Sequence, residues 1–181
     1  RANAICSSVN LLVFMAWPSC PRGHIMPNFS TFAPDYFLGQ GQLQQEVQRL
    51  AAQALADFND RAEGKLDFSE ASLQVVEEML AEASMYRNDL PSETVEGIVT
   101  RFGCYVLEVG RQQFGGTYSW LEERNQPVLV VGNPQNHTAL GTWDKVRGRL
   151  SGDTGDNVPF FFEGFAERVR TSSGGGRALY I

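Results

Sequence analysis

The sequence predicts an α+β domain, with about five helices packed on a small antiparallel sheet or hairpin. Apolar residues recur at steps of three and four through most of residues 41–114, the spacing of amphipathic helices. The segment Phe102–Trp120, FGCYVLEVGRQQFGGTYSW, reads as an apolar helix that stops at a glycine pair and turns directly into an aromatic strand. A second apolar run, Pro127–Val131, follows after a short polar link, which suggests an antiparallel hairpin.

The first 25 residues differ from the rest. Ala4–Trp17 is apolar but interrupted by Ser and Asn, too short to span a bilayer comfortably. It resembles the middle of a secretory signal with a lipid-attachment cysteine at Cys20, although the only basic residue before it is Arg1. Residues 1–25 are therefore expected to be an N-terminal extension and residues 26–181 the single globular domain. The expected compartment is the bacterial cytoplasm, or the periplasm with a lipid anchor if the extension is a genuine signal. Residues 27–40 read as an extended arm carrying Phe29, Phe32, Tyr36 and Phe37.

The helices follow in order. In Gly41–Ala62 the residues Leu43, Val47, Leu50, Ala54, Leu55 and Phe58 form one face, and Gly64 is a plausible stop. The next helix is expected to start near LDFSE. Asp67 with Glu70 has the form of a capping box, and Ser69 is the alternative cap. Leu73, Val76, Met79 and Leu80 should face the core, with Glu77, Glu78 and Glu82 turned away from it. Pro91-Ser92-Glu93 opens the third helix, which runs to about Phe114. Gly97, Gly103 and Gly110 lie inside it. Each costs about 1 kcal/mol against Ala, so a close neighbour is expected to offset them. Thr117–Leu121 and Pro127–Val131 are strands, and Thr138–Leu140 is a short edge strand. Trp143–Leu150 is a short helix with Lys145, Arg147 and Arg149 outward. Val158–Arg170 is the last helix, and Ala178–Ile181 is either a short docked strand or disordered.

Charge narrows the function. The net charge is -6 and the pI about 4.9, which argues against a nucleic-acid binder, since phosphates reward clustered Lys and Arg. The excess is uneven: residues 57–96 hold eleven Asp and Glu against three Lys and Arg. That stretch is either a solvated face or a docking surface for a basic partner.

Few residues suggest catalysis. Cys6, Cys20 and Cys104 form no metal spacing, and Cys104 reads as a buried apolar residue. A Cys104–His137 pair is a weak thiol–base candidate, because a cysteine in an apolar helix is usually inert. Asp153 and Asp156 lack the ligand pattern of a calcium loop and suit a turn. Glu108 and Arg111 are three apart on the apolar helix. They read as an internal ion pair, with a pocket built from Glu108, Arg111, Tyr118 and Trp120 as the alternative. No cofactor or metal site is expected.

Three stretches together resemble a family of bacterial domains of unknown function: Leu66–Leu80, Gly103–Trp120 and Thr142–Phe165. The central one follows G-x-Y-x-x-E-x-x-x-R with a following Gly-Gly and tryptophan. Gly103, Tyr105, Glu108 and Gly115-Gly116 match it, Arg111 lies near the basic position, and Trp120 falls slightly late. In size and charge such domains are similar to immunity proteins that neutralise antibacterial toxins. The acidic stretch, the missing catalytic constellation and this resemblance together suggest a protein-binding inhibitor rather than an enzyme. Its docking carboxylates would be Glu77, Glu78, Glu82, Asp89, Glu93 and Glu96, facing the basic cleft of a nuclease-like toxin. The alternative is a small-molecule-binding or enzymatic domain at the Glu108 pocket.

Overall fold

The computed structural model describes residues 40–171 and 176–181. Expectations about the extension at residues 1–25 and the aromatic arm lie outside the described residues, as do Cys6, Cys20 and His24.

Helix α1 spans Gln40–Phe58, α2 Ser72–Ser84 and α3 Ser92–Phe114; strands β1, Thr117–Leu121, and β2, Gln126–Asn133, follow. Then come β3, Asn136–Gly141, α4, Trp143–Leu150, α5, Val158–Thr171, and β4, Gly176–Tyr180. The four strands lie in the order β1-β2-β3-β4. The α+β expectation is borne out, with five helices against one small sheet among the described residues.

The sheet is larger than a hairpin, and mixed. β1–β2 and β2–β3 are antiparallel, whereas β4 lies parallel to β3. A parallel neighbour needs a long crossover, and α4 with α5 supplies it. β3 is therefore an inner strand, longer than the edge strand expected at Thr138–Leu140. Pro134 and Gln135 form the tight link before it, where the Asn133 Oδ1 accepts from the Gln135 and Asn136 N–H groups at 3.1 and 2.9 Å.

Pairing aligns Tyr118, Leu129, Leu140 and Tyr180 in one row across all four strands. The first three are buried and Tyr180 is half-buried. This row meets α3 and α5. A methyl group added at Gly110 would come within 2.9 Å of Leu129 and 3.6 Å of Phe162. Gly103 is a tighter notch, because a methyl there would lie 2.3 Å from Trp143 Cδ1. Both glycines thus have the close neighbours that their helix-interior cost requires. Gly97 does not follow the same logic. Its notch holds the Arg101 guanidinium of its own helix, which reaches across to Asp57 at the end of α1.

Helix α3 is the centre of the packing. Every residue from Ile98 to Gly110 is buried. Phe102 stacks on Phe58 of α1 with ring centroids 4.7 Å apart. The helix ends as expected at the glycine pair. Gly115 and Gly116 have φ of 70° and 101°, a region that side chains resist, and a Cβ at Gly116 would strike the Val130 carbonyl at 2.5 Å.

Helix α2 departs from the expected start. It begins at Ser72, not near Asp67; Ala71 just before it offers no side-chain cap, and the first N–H is taken by Ser69, the alternative cap. Asp67 instead accepts from the Ser69 N–H at 2.9 Å, and the Ser69 hydroxyl oxygen from the Ser72 N–H at 3.2 Å. Glu70 bonds Arg170 of α5 rather than closing a capping box. The competing force is tertiary: Phe68 stacks on Tyr105 of α3 at 4.7 Å, and its N–H donates to the Tyr105 oxygen at 2.9 Å. This contact holds Phe68 at φ 61°, incompatible with an early helical turn.

Candidate functional site

Of the six carboxylates expected to meet a partner, Glu77 does not lie on the surface. It is 7 % exposed, on the side of α2 that faces α4 and α5. Arg149 donates through Nε to its Oε1 at 2.5 Å, and the Val158 N–H donates to its Oε2 at 3.0 Å. One carboxylate so ties the end of α4 and the first residue of α5 to α2. The position suits an anion, because the first N–H groups of α5 have no partner inside their own helix. Arg149, expected outward, is buried with it.

Two others are already paired. Glu82 takes an ion pair from Arg61 at 2.7 Å. Glu96 takes one from Arg147 at 3.1 Å, and Arg147 also holds Asp144 at 3.1 Å. Glu78, Asp89 and Glu93 are exposed. Glu78 accepts from Gln74 at 3.2 Å. Among the described residues, no cation pairs with Asp89 or Glu93. Asp89 closes a short 3-10 turn, Arg87–Asp89, and Glu93 sits in the first turn of α3. A carboxylate in that turn is favoured by the helix dipole.

Four of the eleven carboxylates of the acidic stretch are thus compensated from elsewhere in the chain. Asp57, Glu70, Glu77 and Glu96 bond Arg101, Arg170, Arg149 and Arg147, four arginines that all lie beyond residue 96. Arg101 and Arg149 are the structural cations that reading the pattern did not single out. Arg101 interrupts the apolar run Val95–Val109, and that interruption is the signal available in the sequence.

Glu108 is 5 % exposed and its carboxylate is saturated. Arg111 donates to it twice, at 2.9 and 2.7 Å, Gln112 at 3.1 Å and the Tyr118 hydroxyl at 2.8 Å. Burial pushes its pKa up, but the bonds from Arg111, Tyr118 and Gln112 outweigh it and hold the group below the ordinary carboxylate range. Burial, then the Glu108 charge, pushes the Tyr118 phenol up. This is an ionised carboxylate clamped by α3 and β1, an internal brace with no proton to offer near neutrality. Trp120 packs edge-on against Trp143 at 6.0 Å.

Cys104 is fully buried, and burial pushes its thiol up to about 12 despite the nearby Trp143 indole. A thiol held neutral in this way is a poor nucleophile. Asp153 accepts from the Gly155 N–H at 2.8 Å, the turn role expected of that loop, whereas Asp156 pairs with Lys145 of α4 at 2.8 Å. No helix among the described residues is long and apolar enough to cross a membrane.

No protein-family model, curated protein or solved structure gives a significant match to the chain.

Proposed function

We propose that this chain is a protein-binding inhibitor of the immunity type, which docks an acidic surface on a basic, nuclease-like bacterial toxin and blocks its active site. The observation that carries this reading is the charge asymmetry of residues 57–96, with Asp89 and Glu93 exposed and uncompensated at its end. Carboxylates that already hold an arginine have little to gain from a second cation. The docking set is therefore Glu78, Asp89 and Glu93, with Glu82 and Glu96 at its margin and Glu77 reserved for the core.

The test is capture from the native host on the tagged full chain, followed by binding kinetics with the recovered partner. A basic protein is expected, with association slowing steeply between about 0.05 and 0.5 M salt. The pair Asp89→Asn and Glu93→Gln should slow association while leaving dissociation nearly unchanged. Recovery of no partner, or an association rate indifferent to salt and to both substitutions, would overturn the reading.

A further inference from the structure

Far along the chain from the acidic stretch, α5 and β4 border a groove of about 320 Å³. Phe160, Phe161 and Tyr180 give it aromatic walls, and Glu163 and Glu167 also line it. Phe160 is 73 % exposed, unusual for so large an apolar side chain. Tyr180 is fixed edge-on against Phe161 at 6.4 Å and Phe165 at 6.2 Å, so this wall is preformed.

Phe160, Glu163, Gly164 and Glu167 fall on one face of α5, at steps of three, one and three. Gly164 keeps the face shallow beside the Tyr180 ring, which a methyl group there would meet at 3.5 Å. Glu163 and Glu167 are like charges one turn apart, an arrangement that destabilises a helix unless a cation joins them. Among the described residues, neither has a cationic partner. The one lysine in the groove, Lys145, is engaged by Asp156 at 2.8 Å and lies over the Phe161 ring at 5.3 Å.

Aromatic faces beside two uncompensated carboxylates match a planar guanidinium, which stacks on rings and bonds carboxylates in pairs. We infer that this groove seats an arginine side chain projecting from the protein partner. The inference rests on the reading of that partner as a basic protein, and it adds a second contact distant in sequence from Asp89 and Glu93.

The experiment titrates the isotopically labelled full chain with the capped tripeptide Ala-Arg-Ala and, separately, with its citrulline counterpart, followed by amide chemical shifts. Saturable shifts confined to residues 155–167 and Tyr180 are expected with arginine and absent with the neutral isostere. The double variant Glu163→Gln, Glu167→Gln should weaken binding about tenfold, and Phe160→Ala should weaken it further. Both carboxylates and Phe160 are exposed, and unchanged amide spectra of the free variants will verify the fold. Equal shifts with citrulline, or no saturable shift in the groove, overturn the inference. Shifts clustered instead at Asp89 and Glu93 overturn the groove and leave the basic partner standing.

Discussion

Gly103 and Glu77 illustrate how single residues set this structure. A methyl at Gly103 meets the Trp143 ring, which is buried and packed edge-on against Trp120. Gly103→Ala gains helix propensity of about 1 kcal/mol but forces the indole to move, which costs about 1–3 kcal/mol or more. Net destabilisation is expected in urea unfolding, whereas Gly41→Ala, where a methyl meets nothing within 4 Å, should be neutral or stabilising. Glu77→Ala would leave the Arg149 guanidinium buried without its anion and the Val158 N–H without an acceptor. A loss of about 3–5 kcal/mol is expected from the same measurement. Glu78→Ala, one residue away and exposed, should change stability by less than about 0.5 kcal/mol. The contrast between these neighbours tests whether Glu77 belongs to the core or to a partner face.

At the scale of elements, the crossover through α4 and α5 brings β4 beside β3, and Tyr180 is the joint. It packs on two phenylalanines of α5 and extends the row formed by Tyr118, Leu129 and Leu140. Tyr180→Ala should cost about 2 kcal/mol. It should also raise amide exchange in β3 and β4 more than in β1 and β2, because the antiparallel pair keeps its own contacts. The ends of α4 and α5 were legible in the sequence almost to the residue, since Gly-Asp turns and the spacing of Trp143, Val146 and Leu150 are local signals. The start of α2 was not. Asp67 and Glu70 have the letters of a capping box, but Tyr105, more than thirty residues away, captures Phe68 and diverts the chain.

For the whole molecule, stability should fall at both ends of the pH scale. Glu108 has a lowered pKa in the fold, so its contribution is full above its unfolded value near 4.5 and fades as pH falls through the lower folded value. Glu108→Gln should flatten that acid limb while lowering stability at pH 7. Cys104 has a raised pKa, so its contribution is full below its unfolded value near 9.0 and is lost as pH rises from there through about 12. Thermal unfolding followed across this window is expected to show a steep alkaline decline, in which Tyr118 shares. Cys104→Ala should remove the cysteine part of it.

The amino-acid pattern by itself determined the helices, the glycine turn into the hairpin and the burial of α3, because these follow from the spacing of apolar residues and from the conformational freedom of glycine. It also located the negative charge. Only the tertiary structure decided which carboxylates are spent. Glu77 and Glu78 are adjacent letters in one acidic run, yet one holds three helices together and the other faces solvent. The helical period does put Glu77 on the stripe of Leu73, Val76 and Leu80, and its acidic character outweighed that signal; what the period does not tell is that an arginine from about seventy residues away arrives to pair with it. The docked strand expected as one alternative at Ala178–Ile181 is present as β4, but its parallel pairing was not legible, since its partner is β3 and the two are joined only through α4 and α5.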